Sequence, residues 1–152
     1  MKAQNPDFKE LAYENAAKHG LIRHLGIEVD DLGEGWVQTS IRPDSRHTQQ
    51  DGFVHAGVLS TMGDFTGGLA AYTLVAPNER VLTIEFKINL LRPALGERII
   101  CLAKVLRQGR TITVSESELF SLFEDRKKMV AKTSVTIAVI HMDTEVFDGS
   151  AG

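Results

Sequence analysis

Hydrophobic and polar positions alternate along the chain in patterns that separate helices from strands. Between residues 6 and 19, PDFKELAYENAAKH, apolar residues recur at helical spacing, which predicts a short amphipathic helix that Gly20 ends. Residues 25–41 have the pattern of two strands about a turn at DLGEG, where glycine accommodates a positive φ. The chain is therefore expected to open with a helix and a β-hairpin.

A long helix is predicted after the polar, turn-rich residues 43–54. The run HAGVLSTMGDFTGGLAAYTLVA covers residues 55–76 and stops before Pro77. Its apolar positions lie nearly all round the helix, so it should be buried on most sides. Gly63, Gly67 and Gly68 each cost up to about 1 kcal/mol of helix propensity relative to Ala. Close packing of a sheet against this face would explain them.

The remaining sequence changes to a period of two. Ile84, Phe86, Ile88 and Leu90 are predicted on one face of a strand, with polar residues between them on the other. Three more strand-like runs follow: ERIICLAKVLRQ, TITVSESELFSLF and MVAKTSVTIAVIHM. Short turns join antiparallel neighbours, so the pattern predicts an α+β fold with a curved antiparallel sheet around one helix. Dimerisation through an edge strand would cover an open edge.

Composition narrows the class of protein. The 152 residues, 43% hydrophobic and 24% charged, predict one domain over residues 1–152, with an N-terminal helix within 1–20 and a frayed tail at 143–152. A formal net charge of -3 provides no field for holding nucleic acid. The charged N-terminus is unlike a secretory signal, and no run approaches a membrane span. We expect a cytoplasmic protein without a membrane partner.

Several kinds of active site are disfavoured by the residues present. Cys101, the single cysteine, lies in an apolar run and is predicted to be a buried core residue. No metal site is expected, because the histidines lack ligand spacing. No cofactor is expected either, since nucleotide-binding glycine motifs and the GxSxG elbow are missing from the sequence. The scattered histidines are His19, His24, His47, His55 and His141.

The segment QQDGFVHAGVLSTMGD, residues 49–64, resembles the motif of the phenylacetic-acid-degradation type acyl-CoA thioesterases. The order of elements is similar to the hotdog fold, and the resemblance runs from about Leu21 to Ile140. It implies hydrolysis of acyl-CoA by a homodimer, commonly within a dimer of dimers. The positions that match the motif are Gln49, Gly52, His55, Ala56, Gly57 and Asp64.

Two positions depart from the family motif. Gln49 stands where the family has Asn, and Ala56 replaces the middle Gly of its triplet, although an amide and a backbone N–H remain. The resemblance also places Thr83 where a hydroxyl faces the attacking water. In RQGRT, residues 107–111, it places the turn near which the coenzyme A arm lies. The candidate binding residues of that turn are Arg107, Gly109 and Arg110.

Thioester hydrolysis needs an oxyanion stabiliser and either an activated water or a carboxylate nucleophile. The N–H groups at the start of the long helix, those of Ala56 and Gly57, can polarise the thioester carbonyl. Asp64 is the candidate carboxylate, because an acid among apolar helix residues is costly to bury unless it is paired or used. Whether it acts as a general base or as a nucleophile stays open.

Helix geometry separates these two parts of the candidate site. Asp64 follows His55 by nine residues, which is about 13.5 Å along an ideal helix and about half a turn in azimuth. The two side chains cannot meet in one subunit. If both serve one thioester, the carboxylate must come from a partner chain, and the site is predicted between two helices of a dimer.

Other roles and other functions remain open from the sequence. His55 holds the loop or simply caps the helix, Gln49 orients water or is an ordinary loop amide, and Arg92, with the arginines of RQGRT, binds coenzyme A phosphates or is solvated. A hotdog dehydratase or hydratase and a non-catalytic acyl-CoA-binding module are the alternative functions. The acyl group is not identified; the residues expected to line its pocket are Phe53, Phe65, Tyr72 and Leu90.

Overall fold

The computed structural model describes residues 1–124 and 126–142. The tail at 143–152 that the sequence predicts to fray lies outside the described residues. The order of elements agrees with the predicted order except that a second short helix follows the first. The elements are α1 (Phe8–Lys18), α2 (Gly20–His24), β1 (Glu28–Gly33), β2 (Trp36–Ile41), α3 (Ala56–Tyr72), β3 (Glu79–Leu90), β4 (Arg98–Arg107), β5 (Ile112–Phe123) and β6 (Arg126–His141).

The six strands form one antiparallel sheet in the order β1-β2-β4-β5-β6-β3. Helix α3 packs against the inner face and contacts every strand from β2 to β6. This confirms the α+β prediction of a curved sheet around one central helix. Strands β1 and β3 are the two edges, so the backbone of β3 pairs with β6 on one side only.

The first predicted helix ends close to where expected, and the long helix does not. Helix α1 ends at Lys18, one residue before the predicted end, but Gly20 is not its stop: His19 takes an extended conformation (φ -72°, ψ 107°) and Gly20 begins α2. Helix α3 ends at Tyr72, four residues early. There Thr73 Oγ1 accepts from Gly35 N–H at 2.8 Å and donates to Ala70 O at 2.7 Å, which ties the helix end to the β1–β2 turn.

The glycines of α3 are only partly explained by close packing. A side chain on Gly63 would clash with Thr133, and a Cβ on Gly67 would lie 2.8 Å from Ser115 Oγ on β5. The helix therefore approaches β5 and β6 closely at these two positions. At Gly68 the prediction is wrong, since no described atom outside its own stretch of helix lies within 4 Å of its Cβ position.

Strand β3 contains a β-bulge that the alternating pattern does not reveal. Thr83 pairs with Ile137 and Glu85 pairs with Thr136, so Ile84 is an extra residue without a partner on β6. The extra residue reverses the alternation: Thr83 on one side of it and Ile88 on the other both face α3 and the core. The prediction that Ile84 shares a face with Ile88 is therefore wrong.

Cys101 lies in the core, as predicted, with 0% of its surface exposed. Burial raises the pKa of its thiol to about 12, so the sulfur stays protonated and unreactive at neutral pH. None of the helices in residues 1–124 and 126–142 is long and apolar enough to span a membrane.

Candidate functional site

Asp64 and Thr83, predicted from separate segments, meet in the structure. Asp64 is half-buried on α3, and its Oδ1 accepts a hydrogen bond of 2.8 Å from Thr83 Oγ1 on β3. The bulge at Ile84 puts Thr83 on the same face of β3 as Ile88, which packs against the core, so Thr83 can reach Asp64 on the helix. One carboxylate oxygen is thus oriented by a neutral donor.

The Asp64 carboxylate faces a cavity of about 390 Å³, which we call the Asp64 cavity. One wall is the face of α3 that carries Phe65 and Gly68, and the lack of a side chain at Gly68 leaves that wall open. The ends of α1 and α2 cover another side, where the His19 ring packs edge-on to Phe65 with 5.4 Å between ring centroids. The cavity can hold an apolar group beside the carboxylate.

The start of α3 lines a different space, a cleft of about 570 Å³ that we call the helix-start cleft. It is bordered by the loop before α3 and by the segment after β3. Of the candidate residues, Gln49, His55, Ala56 and Arg92 lie here. The helix-start cleft and the Asp64 cavity share no lining residue, so one chain does not bring its helix start to its own carboxylate.

Only one of the two predicted oxyanion donors, the backbone N–H groups of Ala56 and Gly57, is free of an acceptor in the described residues. His55 is the N-cap of α3, and its Nδ1 accepts from Gly57 N–H at 2.8 Å. The prediction that Gly57 presents a free N–H is therefore wrong, because the preceding imidazole caps it. Among the residues that the structure describes, Ala56 N–H has no acceptor. Ala56 is thus the donor that remains at the exposed helix start.

The loop before α3 is held by His47, which the sequence did not single out. This imidazole is 1% exposed. Its Nδ1 accepts from Asp44 N–H at 2.9 Å, so Nε2 carries the proton given to Leu25 O at 2.7 Å. His47 O also accepts from His55 N–H at 2.7 Å, which anchors the helix start. No spacing or motif in the sequence distinguishes this histidine from the others.

Side chains of the loop before α3 also form hydrogen bonds within the loop itself. Gln49 Oε1 accepts from Asp51 N–H, so this amide oxygen braces its own turn. The guanidinium and backbone N–H of Arg46 hold the pKa of Asp44 near 2, well below its usual range. Gln49 lines the helix-start cleft, so the turn that its side chain braces forms part of the cleft wall.

The candidate coenzyme A residues are spread over the surface. Arg92 Nη1 donates to Met129 O at 2.9 Å at the edge of the helix-start cleft. Gly109 and Arg110 line a third cavity of about 300 Å³, and Arg107 is exposed at the end of β4. One chain does not bring this turn to Asp64.

The predicted acyl-pocket residues are divided between the two spaces. Phe65 and Tyr72 line the Asp64 cavity, whereas Phe53 and Leu90 line the helix-start cleft. Within the described ranges, no three His, Cys, Asp or Glu side chains come together as metal ligands would. The chemistry available is a hydrogen-bonded carboxylate, an exposed helix-start amide and apolar walls.

Comparison with known proteins identifies the family of the chain. A family model described as thioesterase superfamily matches residues 51–124. A crystal structure of a thioesterase family protein from Silicibacter pomeroyi is similar to this chain with a TM-score of 0.87 and 33% identity, covering 89% of this chain and 99% of that one. Thioesterase HI1161 from Haemophilus influenzae has a TM-score of 0.80 and 25% identity, covering 90% and 93%.

A third relative carries a more specific name. The 1,4-dihydroxy-2-naphthoyl-CoA hydrolase of Escherichia coli is 24% identical over 127 residues, which are 83% of this chain and 91% of that one. The fold, the family model and these relatives agree on one class. The chain belongs to the thioesterase superfamily and has its hotdog fold.

Proposed function

We propose that this protein hydrolyses acyl-CoA thioesters at a site shared by two subunits, with Asp64 from one chain and the start of α3 from the other. The observation that carries this proposal is the Thr83–Asp64 hydrogen bond at the wall of an apolar cavity. A carboxylate beside an apolar acyl pocket, with one oxygen already oriented, has the features that thioester hydrolysis requires.

The reaction can be written in terms of these residues. Thr83 occupies Asp64 Oδ1, so Oδ2 is left to accept a proton from water. The water oxygen bonds to the thioester carbon, and Ala56 N–H donates to the oxyanion that forms. Collapse breaks the C–S bond, and the coenzyme A thiolate takes the proton that Asp64 accepted, which gives the free thiol and the carboxylic acid and restores the carboxylate of Asp64. In the nucleophilic alternative, Oδ2 attacks first and water hydrolyses the anhydride.

The proposal of a shared site has two supports besides helix geometry. The two cavities have no residue in common, so each chain presents two separate half-sites. The β3 edge, which lies beside Thr83, exposes large apolar side chains with no cover in the single chain: Leu82, Ile84, Phe86 and Leu90. Pairing of two β3 edges would bury these side chains and place the half-sites together. Association of two such dimers, as the family resemblance implies, stays a prediction.

A charge on this edge should separate the subunits. In Ile84→Lys, each β3 would carry an unpaired ammonium into the interface, at a residue 59% exposed in the single chain. We expect sedimentation to shift toward the 16.7 kDa monomer and turnover to fall at least about tenfold, because neither half-site is complete alone. Leu106→Lys, at a residue 51% exposed on β4, is the matched control. A monomeric Ile84→Lys protein with full activity would contradict the shared site.

Coenzyme A contacts are proposed for the arginines. Arg92 borders the helix-start cleft that contains Ala56, so its guanidinium is suitably located for a phosphate of the bound arm. Arg107, Gly109 and Arg110 lie farther along the surface, and we propose that they meet the arm of a substrate held in the partner's half-site. The cytoplasmic location expected from the sequence stays a prediction.

The substrate class is testable with a panel of acyl-CoA esters. The similarity to a relative named as a naphthoyl-CoA hydrolase, together with Phe65 and Tyr72 in the Asp64 cavity, supports an aryl acyl group. Free thiol should be released from benzoyl-CoA or phenylacetyl-CoA faster than from acetyl-CoA. Loss of enoyl absorbance without thiol release would instead favour a hydratase, and calorimetric binding without thiol release would favour a binding module.

A further inference from the structure

Two small hydroxyl side chains of strand β5 face α3 near Gly67, where the helix packs closely on the sheet. Ser115 and Ser117 are both 0% exposed, and both lie within 3.2 Å of the Cβ position of Gly67. Aliphatic side chains usually fill such buried sheet positions, and a buried hydroxyl costs free energy unless it is hydrogen-bonded. These two serines therefore call for separate explanations.

Ser117 has a hydrogen-bond partner on the helix. Its Oγ donates to Gly63 O at 2.8 Å. This oxygen belongs to the peptide group that joins Gly63 to Asp64, and because a peptide group is planar, the hydrogen bond orients the plane that carries the Asp64 nitrogen. Thr83 holds the carboxylate from the other strand. Asp64 is thus fixed at its backbone by β5 and at its side chain by β3.

Ser115 provides the matched comparison. It lies two residues earlier on the same face of β5 and is equally buried. Among the residues that the structure describes, its Oγ has no hydrogen-bond partner. The two serines share size, burial and strand. Ser117 differs in its contact with the Gly63–Asp64 peptide and in a contact with the buried Cys101 thiol, which stays protonated and has no part in the proposed chemistry.

We propose that Ser117 is a positioning residue for Asp64, acting through the Gly63–Asp64 peptide group. This inference rests on the proposed thioesterase function and on the role of Asp64 in it. A small displacement of the carboxylate matters because attack on the thioester carbon depends on the alignment of the reacting atoms. Substrate affinity depends much less on this alignment, so the effect should appear in kcat and not in KM.

The test compares Ser117→Ala with Ser115→Ala on the acyl-CoA ester that the wild-type protein hydrolyses fastest. We expect Ser117→Ala to lower kcat by roughly tenfold while KM changes by less than about twofold. Ser115→Ala should leave both within about twofold, because it removes a hydroxyl without a described partner. Equal kcat values for the two variants, each measured on protein shown to be folded by its melting curve, would overturn the proposal.

Two further variants separate positioning from other effects. Ser117→Cys keeps a weak donor of similar size, so its kcat should fall between wild type and Ser117→Ala, and it carries the test if the alanine variant does not fold. In the Asp64→Asn background, Ser117→Ala should cause no further loss, since it acts through Asp64. An additional tenfold loss there would reject the mechanism. Full turnover by Asp64→Asn alone would instead reject the proposed function.

Discussion

Asp64→Asn is expected to lower kcat by about a thousandfold, the range typical for loss of a general base or nucleophile. The asparagine side chain has the same shape, and its amide oxygen can still accept the hydrogen bond that Thr83 Oγ1 donates to Asp64 Oδ1 at 2.8 Å in the wild-type protein. What disappears is the negative oxygen that takes a proton from water or attacks the thioester. The measurement is steady-state thiol release from the best acyl-CoA ester.

The matched control for this variant is Asp31→Asn, at an exposed residue of β1 that lines neither cavity. It should retain wild-type turnover. Circular dichroism should show that both variants keep the native fold, because neither change alters side-chain volume. Unchanged kcat in Asp64→Asn would remove the carboxylate from the mechanism.

Ala56→Pro is the second large effect, and it tests a single backbone N–H. Ala56 is the first residue of α3, where proline is tolerated because that N–H has no intrahelical acceptor. The preceding His55 has φ -63° and ψ 140°, an extended conformation that is compatible with a following proline. The substitution therefore deletes the proposed oxyanion donor and leaves the helix start in place.

We expect kcat of Ala56→Pro to fall by about a hundredfold or more, as when one oxyanion donor is removed. Ala56→Gly is the control, since it restores the N–H with a smaller side chain and should stay within about tenfold of wild type. Equal turnover of the proline and glycine variants would show that Ala56 N–H does not stabilise the oxyanion.

Much of the fold follows from hydrophobic periodicity. The long buried helix was predictable from a run of 22 residues that is apolar on nearly every side, the hairpin from its glycine-containing turn, and the later strands from their period of two. The extra helix after His19 and the early end of α3 were not, because both depend on individual backbone angles and on a tertiary hydrogen bond from Gly35 to Thr73. Such features leave no periodic trace in the sequence.

The candidate site divides in the same way. Asp64 could be selected as an acid on an otherwise apolar helix, and Thr83 by resemblance, but their contact requires the bulge at Ile84. A single extra residue in a strand changes which face each neighbour occupies, and alternation alone cannot locate it. The capping of Gly57 N–H by His55 is likewise a local competition between hydrogen-bond acceptors.

Long-range anchors were the residues that sequence reasoning missed. His47 and Ser117 have ordinary neighbours in the sequence, yet one holds the start of α3 and the other holds the peptide before Asp64. The His47 contact joins two segments of different predicted structure, a polar loop and the start of a helix. The Ser117 contact joins a strand to a helix that is distant in the sequence. Only the folded chain identifies either pair. Together the two residues hold the start of α3 and the peptide that precedes Asp64.

In the proposed dimer, each active site takes Asp64 from one chain and Ala56 from the other. Co-expression of Asp64→Asn and Ala56→Pro chains with different affinity tags allows the mixed dimer to be purified. In a two-fold symmetric dimer one site of this species carries both defects and the other carries neither.

Thiol release by the purified mixed dimer, compared with each parent variant, tests this arrangement. The shared site predicts about half of wild-type kcat per dimer, because one intact site is regenerated. A site contained within one chain predicts no intact copy, so activity no higher than that of the two parent variants would contradict a site shared between subunits.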